Sequence, residues 1–414
     1  MVKALLIVMD GAGDRALKEL GGKTPLEVAR KPNMDGLAAR GITGLMYAIA
    51  PGIRPGSDTA HLAIFGYDPY ATYSGRGAFE ALGAGLELGE GDVAFRTNFA
   101  TVNEDWVVVD RRAGRYIEGA EELEKALNEI RIESHPEVEI VFKHTVEHRG
   151  VLILRGTSLS NKVSDVDPHK LGVRVPKAEP LDNDPSSKVT AEVLNEFTKK
   201  SYEVLSKHPL NKERERKGLP PANIVLARGA GKLPKVPSLR EKYGLKAATI
   251  AGITLIKGVS RALGMEVLEV KGATGGLNTD VNAKFSKALE ALNSGYDLVF
   301  LHIKGTDAAS HDGNVRAKVS MIERIDRALG GFLSKVDLSD LLITITSDHA
   351  TPITVRDHTG DAVPILMAWD ELVSDEVSSF SERACMRGGL HVIRGTDLMN
   401  LIANFLGKLE KFGE

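Results

Sequence analysis

The sequence predicts an α/β fold in which a mostly parallel sheet has helices on both faces and is interrupted by an inserted α+β domain. Short apolar segments alternate with amphipathic helical segments at both ends of the chain, whereas residues 91–175 contain short alternating segments typical of antiparallel strands. A chain of 414 residues also exceeds what one hydrophobic core usually covers. We therefore expect a discontinuous α/β domain, residues 1–89 and 236–414, and an inserted domain, residues 90–235.

The N-terminal segment supplies the first elements of the expected sheet. Residues 2–9, VKALLIVM, form a continuous apolar run that predicts a buried strand, and the following DGAGD places Asp10 in a loop at its carboxyl end. A Thr-Pro pair then predicts the N-cap and first turn of a helix over about 25–40. Residues 43–50 are expected to form the next strand.

The C-terminal third repeats this alternation of strands and helices. Before it, the charged and proline-rich residues 206–222 are expected to form an exposed connection. The apolar periodicity then predicts, in chain order, a helix over 247–264, a helix over 279–294, a strand over 297–303, a helix over 315–333 and a strand over 341–346.

Composition excludes several classes of partner. The chain has 53 basic and 56 acidic residues and a net charge of −3, so no nucleic-acid or membrane surface is expected. The apolar run at the N-terminus is too short for a membrane helix. Cys385 is the single cysteine, which rules out an internal disulfide and fits a reducing, cytoplasmic setting.

Acidic and imidazole side chains follow three of the predicted strands. In open α/β sheets, ligands bind beyond the carboxyl ends of the strands. Three carboxylates crowded there would repel one another without cations, and imidazoles beside them suit Mn, Co or Zn better than Ca. Each residue alone is more typical of a helix cap or surface loop, but their coincidence favours a site for two divalent metals. The predicted ligands are Asp10, Asp307, His311, Asp348, His349 and His358.

The segment GIRPGSDTAHLAIFGYDP, residues 52–69, places a serine, an aspartate and a histidine close together. It lacks the spacing of a nucleophile elbow, and a catalytic triad is normally assembled from distant residues. Ser57 instead begins a helix, whose N-terminus attracts anions, and a nearby metal can activate its hydroxyl. A plain helix cap explains the segment equally well. His61 is expected to support the site from behind, and His302 to be a satisfied core histidine.

The motifs MDGAGD, PGSDTAHLAIFGYDP, YSGRGAFEALGAGL, GTDAASHDGN, SDHATP, DHTGDAVPI and ERACMRGG follow one another along the chain. Together they closely resemble the archaeal-type cofactor-independent phosphoglycerate mutases, a branch of the alkaline phosphatase superfamily of metalloenzymes. The resemblance covers essentially the whole chain. It implies an alkaline-phosphatase-like sheet and a reversible transfer of phosphate between the 3- and 2-hydroxyls of D-glycerate in glycolysis and gluconeogenesis.

The resemblance also implies the roles of individual residues. Ser57 would be the nucleophile that forms a phosphoserine, so no 2,3-bisphosphoglycerate is needed. Mn is the expected metal, although Co, Zn and Mg tolerate parts of this ligand set. By motif matching, one metal would take Asp307, His311 and His358, and the other would take Asp10, Ser57, Asp348 and His349.

The inserted domain is expected to close over the sheet edge and to exclude water, because a hydrated phosphoserine would hydrolyse. It should supply cations for the substrate and a group that shuttles protons. His148 and Arg149 could pair these two tasks or form an ordinary charged strand end, and His169 is a second proton-transfer candidate. Lys257, in a predicted helix outside this domain, is expected to reach toward the phosphate. Further candidates are Arg96, Arg112, Arg115, His144, Arg174 and Arg228.

Two alternatives remain open. The same metal site with water as acceptor would make the chain a phosphatase, phosphodiesterase or phosphonate hydrolase. A non-catalytic protein that binds metal or phosphate is the third reading. The long inserted domain and its arginines favour the mutase.

Overall fold

The computed structural model describes residues 2–411 and 413 and divides into two compact units. Unit 1 comprises Met1–Tyr73 and Val236–Glu414, and unit 2 comprises Ser74–Lys235. The predicted start of the inserted segment, residue 90, therefore lies inside unit 2.

Strands and helices largely alternate along unit 1, whereas in unit 2 most strands follow one another in pairs between helices. The strands are β1 (Lys3–Met9), β2 (Ile42–Tyr47), β3 (Val93–Val102), β4 (Val108–Asp110), β5 (Glu139–Val146), β6 (Arg149–Arg155), β7 (Ile224–Gly231), β8 (Ala247–Ile250), β9 (Glu266–Val267), β10 (Leu298–Ile303), β11 (Leu341–Thr346), β12 (Val363–Ala368) and β13 (His391–Arg394). The helices are α1 (Pro25–Val28), α2 (Pro32–Ala38), α3 (Ser57–Ile64), α4 (Pro69–Thr72), α5 (Arg76–Gly83), α6 (Ala120–Asn128), α7 (Pro185–Leu205), α8 (Pro209–Arg216), α9 (Leu239–Tyr243), α10 (Thr254–Ala262), α11 (Val281–Asn293), α12 (Gly305–His311), α13 (Val315–Leu333), α14 (Glu382–Cys385) and α15 (Gly395–Phe405). Of the helices in the described part of the chain, none combines the length and apolar character that a membrane span requires.

Unit 1 contains a mixed, mostly parallel sheet, as the sequence predicts. Among the described residues its strand order is β13-β2-β12-β11-β1-β10-β8-β9. β12 runs antiparallel to both of its neighbours, and every other pairing in the sheet is parallel. The central strands β1, β10 and β11 are buried along their whole apolar runs, which is typical of strands covered on both faces.

Helices cover both faces of this sheet. On one face, Leu5 of β1 belongs to the same buried core as Phe285 of α11 and Ile322 of α13. On the other face, Phe300 of β10 contacts Phe65, at the end of α3, edge to face at 5.0 Å. α3 in turn packs against α10 and α15. The predicted fold class is therefore confirmed.

Two predicted helices differ from the observed ones. The helix expected over 25–40 is divided into α1 and α2, because Pro32 begins the second helix and the residue before it has φ −136° and ψ 57°. The helix expected over 247–264 begins only at Thr254, because Ala247–Ile250 form strand β8 beside β10. Apolar periodicity does not distinguish a short buried strand from a helix segment.

Unit 2 has the antiparallel strands and helices that the short alternating segments of its sequence predict. β3 pairs antiparallel with β4, β6 and β7, and β5 pairs with β6. The unit begins at Ser74 because α5 packs on β3 and β7. Gly77 allows the close approach, since a Cβ there would lie 2.0 Å from the Ala94 carbonyl oxygen.

The stretch 206–222 is largely exposed, as predicted, but it is partly helical. It contains α8, in which Asn211 and Arg214 are buried. The guanidinium of Arg214 donates hydrogen bonds to the carbonyl oxygens of Ala113 and Pro220, at 2.7 and 3.0 Å from Nη2. Charged residues predicted exposure here, but one arginine is held inside by backbone acceptors.

Candidate active site

The carboxyl ends of three adjacent parallel strands, β10, β1 and β11, meet at one edge of the sheet in unit 1. Asp10 follows β1 directly, and Asp348 and His349 follow β11. Asp307 lies in α12, which begins just after β10. The register of the three strands brings these side chains together, and all four are buried.

Asp10, Asp348 and His349 form a first group of potential metal ligands. One ligand atom from each lies within 4.8 Å of the others. Nε2 of His349 is 3.5 Å from Oδ1 of Asp10 and 3.2 Å from Oδ2 of Asp348. These three atoms are buried, and none has a hydrogen-bond partner among the described residues.

Asp307, His349 and His358 form a second group with the same spacing. Nε2 of His358 lies 3.7 Å from Oδ1 of Asp307, and Nε2 of His311 lies 3.4 Å from it. The rings of His349 and His358 are stacked with centroids 3.5 Å apart. His349 thus belongs to both groups, which places the two groups side by side.

Each of the three imidazoles is oriented through its other nitrogen. A hydrogen bond from Nδ1–H leaves the lone pair on Nε2, which is the arrangement that a metal-binding histidine requires. The Nδ1 acceptors are the carbonyl of Arg356 for His311 at 2.8 Å, the carbonyl of Pro55 for His358 at 2.9 Å and the hydroxyl of Thr351 for His349 at 3.0 Å.

Two side chains that were not predicted as site residues hold the second oxygen of Asp10. His302 donates from Nε2 to Oδ2 of Asp10 at 2.9 Å, and Lys304 donates to the same oxygen at 3.1 Å. Lys304 also donates to Oδ2 of Asp307 at 2.7 Å. His302 is buried, as expected, but its partner is a predicted ligand. The position of Lys304, directly after β10, was the signal available in the sequence.

The carboxylates of the site respond to burial and to one another. Burial and the negative charge of Asp10 raise the pKa of the Asp348 carboxyl well above its ordinary value. Burial would also raise the pKa of Asp10, but the charge of Lys304 and the hydrogen bond from His302 hold that pKa below its usual range. The protein's own cations therefore do not neutralise all the carboxylates gathered here.

The buried atoms without partners fit divalent metal ions. With both carboxyls ionised and His349 protonated on Nδ1, Oδ1 of Asp10, Oδ2 of Asp348 and Nε2 of His349 are all acceptors, so none of them can satisfy another. Leaving such groups unpaired in the interior is costly unless a cation binds them. Carboxylate oxygens together with imidazole nitrogens form the donor set of transition metals.

Gly11 allows the loops of the site to approach closely. Its φ is +62°, and a Cβ there would lie 2.6 Å from Oδ1 of Asp307 and 2.7 Å from Oγ1 of Thr351. Its N–H donates to Oδ1 of Asp348 at 3.1 Å. Both the backbone conformation and the available space therefore require glycine.

Ser57 is the first residue of α3, and His61, one helical turn later, lies between Ser57 and Asp348 of the first ligand group. Nδ1 of His61 donates to the carbonyl of Ser57 at 2.6 Å and lies 3.7 Å from Oδ2 of Asp348. Burial and the nearby His302 lower the pKa of His61 to about 3, so this imidazole is neutral. Its Nδ1 proton is donated to a backbone carbonyl rather than to a carboxylate, and its Nε2 has no hydrogen-bond partner among the described residues, so neither bond of a compact triad is formed. This agrees with the expected supporting role.

His148 and Arg149 lie at the start of β6 in unit 2. His148 is buried with Nδ1 lacking a partner among the described residues, while Arg149 is exposed. Burial and the charge of Arg149 lower the pKa of His148 to about 4. A neutral imidazole beside an exposed guanidinium suits a proton shuttle paired with an anion-binding group, and it equally suits an ordinary charged strand end.

His169 lies in a group of arginines in unit 2. Its Nδ1 is 3.3 Å from Nη1 of Arg228 and 3.4 Å from Nη2 of Arg111. Arg228 faces Arg96 across β7 and β3, and Nε of both is buried without a hydrogen-bond partner in the described chain. Arg111 was not among the predicted residues. Asp167 binds Arg111 and lies 3.7 Å from Nε of Arg228, and Glu80 lies 3.6 Å from Nε of Arg96, so carboxylates balance part of this positive charge. The unused Nε donors of Arg96 and Arg228 are suited to binding an anion.

Lys257 does not reach the ligand groups. Its ammonium donates to both carboxylate oxygens of Glu269, at 2.8 and 2.7 Å. This ion pair gives no support to the predicted contact with phosphate. The apolar neighbours Ile256 and Val259 are buried in α10, whereas the ammonium of Lys257 pairs with the exposed Glu269.

Proteins named 2,3-bisphosphoglycerate-independent phosphoglycerate mutase are similar to this chain over its whole length. A family model described as 2,3-bisphosphoglycerate-independent phosphoglycerate mutase matches residues 38–211. The protein of that name from Ignicoccus hospitalis is 54% identical, with 100% of this chain and 99% of the relative covered. Its counterpart numbered 1 from Methanothermobacter thermautotrophicus is 48% identical, with both chains covered in full.

Solved structures agree. A protein from Pyrococcus horikoshii is 43% identical with a TM-score of 0.88, covering 100% of this chain and 99% of that one. The cofactor-independent phosphoglycerate mutase from Thermoplasma acidophilum is 39% identical with a TM-score of 0.74, covering 98% of this chain and 100% of that one. The resemblance found in the motifs is therefore confirmed: the chain belongs to the 2,3-bisphosphoglycerate-independent phosphoglycerate mutase family.

Proposed function

We propose that this chain interconverts 3-phosphoglycerate and 2-phosphoglycerate through a phosphoserine at Ser57. Membership of the family supports the reaction. The observation that supports the site is the set of buried atoms of Asp10, Asp348 and His349 that have no hydrogen-bond partner among the described residues. His61, one helical turn after Ser57, bonds the Ser57 carbonyl and lies 3.7 Å from Oδ2 of Asp348, so the start of α3 is close to this set. A serine at a helix N-terminus beside a divalent metal ion would be suited to accept a phosphoryl group.

Two divalent metals, with Mn as the proposed identity, would be held at this edge of the sheet. When bound, they would supply positive charge that lowers the pKa of a hydroxyl and offsets the charge of a phosphoryl group. The residues that would hold them are Asp307, His311 and His358 for one ion and Asp10, Ser57, Asp348 and His349 for the other.

Ser57 would attack the phosphorus of the bound substrate. A bond from its Oγ to phosphorus forms as Oγ loses its proton, while the ester bond to one glycerate oxygen breaks and that oxygen takes a proton. After the glycerate reorients, its other hydroxyl loses a proton and attacks the phosphorus, the bond from phosphorus to Oγ breaks, and Oγ regains a proton. Because the serine itself carries the phosphoryl group between the two hydroxyls, no 2,3-bisphosphoglycerate is consumed or required.

We propose that unit 2 contributes substrate recognition. Arg96 and Arg228 have buried guanidinium nitrogens without hydrogen-bond partners in the described chain, which suits them to the phosphate or carboxylate of the substrate. His148 and His169 remain the candidates for proton transfer, and Arg149 for anion binding. Closure of this unit, which would exclude water, and a cytoplasmic location are part of the same proposal.

The proposed function is tested by following 3-phosphoglycerate with the purified protein and Mn²⁺ by phosphorus NMR. Appearance of the 2-phosphoglycerate resonance without added 2,3-bisphosphoglycerate is the expected result. Release of inorganic phosphate without 2-phosphoglycerate would assign the phosphatase reaction instead. Ser57→Ala is the control, and it should give neither product.

A further inference from the structure

A lysine ammonium is buried behind the ligand groups and contacts both loops that carry them. Lys318 lies on α13, and its side chain has no exposed surface. Its Nζ donates to Oδ2 of Asp14 at 2.8 Å, to the carbonyl of Thr351 at 3.1 Å and to the carbonyl of Gly13 at 3.2 Å. An ammonium has three protons, so all of its donors are used.

These three acceptors come from two separate segments. Gly13 and Asp14 belong to the loop after β1, whereas Thr351 belongs to the loop after β11. The segments are joined directly as well, because the N–H of Thr351 donates to the carbonyl of Gly13 at 3.1 Å and the N–H of Ile353 lies 3.3 Å from both carboxylate oxygens of Asp14. Lys318 therefore holds the two loops against each other where Gly13 and Asp14 contact Thr351 and Ile353.

Thr351 connects this contact between the two loops to the predicted metal ligands. Its hydroxyl accepts from Nδ1 of His349 at 3.0 Å and donates to Oδ1 of Asp307 at 2.8 Å. Because one hydroxyl orients a ligand of each group, a shift of the Thr351 backbone would displace both. The carbonyl that Lys318 holds belongs to this same residue.

Stability alone gives no reason for this buried ion pair. Taking a lysine and an aspartate out of water is costly, and apolar residues of similar volume often replace such pairs without loss of stability. A directional ammonium differs from an apolar side chain in fixing the positions of the three oxygens that it contacts. A positioning role accounts for its presence better than a stabilising one.

We propose that Lys318 is a positioning residue for the candidate metal centre. By fixing the loop after β1 against the loop after β11, it brings Asp10, His349 and Asp307 into the arrangement that binds metal. The inference rests on the proposed function, because it takes the two groups to be metal sites. Lys318 itself contacts neither metal nor substrate in this role.

The test compares Mn²⁺ binding by the full-length metal-free protein and its variants, using titration calorimetry with Mn²⁺ alone. Lys318→Met keeps the length of the side chain and removes its charge. We expect the dissociation constant for Mn²⁺ to rise about 10- to 100-fold, as when other residues that orient metal ligands are lost. The absorption spectrum of bound Co²⁺ should also change, because it reports ligand geometry rather than stability.

Lys31 provides the matched control. It is also a buried lysine, and its ammonium pairs with Asp35 at 2.9 Å, four residues away in sequence. Lys31→Met should lower the thermal stability but leave the dissociation constant for Mn²⁺ and the Co²⁺ spectrum unchanged. Should Lys318→Met not fold, Lys318→Arg becomes the deciding variant, because its planar guanidinium keeps the charge but cannot reproduce the three contacts.

The outcomes separate the two proposals. If the unaltered protein does not bind Mn²⁺, the proposed metal centre is wrong and the inference is overturned with it. If the unaltered protein binds Mn²⁺ and the folded Lys318 variant binds it with the same affinity and Co²⁺ spectrum, only the positioning role is overturned.

Discussion

His302 donates a hydrogen bond from Nε2 to Oδ2 of Asp10 across 2.9 Å, and both side chains are fully buried. The bond fixes the carboxylate so that Oδ1 faces His349, whose Nε2 lies 3.5 Å away. Oδ1 itself has no hydrogen-bond partner in the described chain. One oxygen of Asp10 is thus held by the protein, and the other remains for a metal.

Loss of this hydrogen bond should weaken metal binding. His302→Leu removes the donor, so Asp10 can rotate, and we expect Mn²⁺ affinity to fall about 10- to 100-fold by calorimetry. His302→Gln can place an amide N–H near the same position and should recover part of the affinity. Equal affinity of the leucine variant and the unaltered protein would contradict the role assigned to His302.

Gly11 should tolerate no side chain. Alanine there combines a left-handed backbone with contacts under 3 Å to Asp307 and Thr351, whereas Gly21, with φ +67°, has open space around it. Gly21→Ala should cost about 1–2 kcal/mol from backbone strain alone. Gly11→Ala should cost more in urea unfolding and should also reduce Mn²⁺ affinity. Equal costs for the two variants would show that crowding at Gly11 is unimportant.

Metal removal should destabilise unit 1. A ligand at 100 times its dissociation constant stabilises the folded state by about 2.7 kcal/mol per site, so Mn²⁺ should raise the melting temperature above that in EDTA. Ca²⁺ should have a smaller effect, because it prefers oxygen ligands to imidazoles. A melting temperature that does not respond to Mn²⁺, or turnover that persists in excess EDTA, would refute the metal centre.

Asp167 should contribute a pH-dependent part of the stability. Burial alone would raise its pKa, but hydrogen bonds from Arg111 and from the N–H of His169 hold the pKa below the ordinary value. A carboxyl with a depressed folded-state pKa stabilises the protein above the unfolded-state pKa of about 4 and loses that contribution at lower pH.

The difference in unfolding free energy between the unaltered protein and Asp167→Asn should therefore be constant near pH 7 and shrink as the pH falls below about 4. Urea unfolding at pH 7, 5, 4 and 3 provides the measurement. The exposed Asp105→Asn serves as a control within the same unit and should show little difference throughout. A constant deficit for Asp167→Asn down to pH 3 would contradict the assignment.

The α/β class and the meeting of three strand ends followed from the sequence because buried parallel strands are nearly continuous apolar runs. Asp10, Asp307 and Asp348 were found because polar residues interrupt the chain where those runs end. The division of the helix at Pro32 and the strand preceding Thr254 were missed. Residues 247–250 form a strand because β8 pairs with β10, and local periodicity does not specify that pairing.

Residues that orient the predicted metal ligands, rather than bind metal themselves, were harder to predict. His302 lies in an apolar strand, so its pattern is that of a core residue until Asp10 is placed beside it. Lys318 occupies one position in an apolar helical stripe, and its contacts come from loops more than 30 residues away in sequence. Lys257 showed the converse, because its apolar neighbours suggested that it reaches toward the phosphate, a contact that its pairing with Glu269 does not support.

The central claim is that Ser57 carries the phosphoryl group during turnover. The most direct measurement is rapid quenching of the Mn²⁺-loaded protein with 3-phosphoglycerate, followed by peptide mass spectrometry of the segment containing Ser57. We predict one phosphoryl group on Ser57 in the quenched protein, 2-phosphoglycerate in the supernatant, and neither with Ser57→Ala. Formation of 2-phosphoglycerate by a protein whose Ser57 is never phosphorylated, or has been replaced by alanine, would contradict the account.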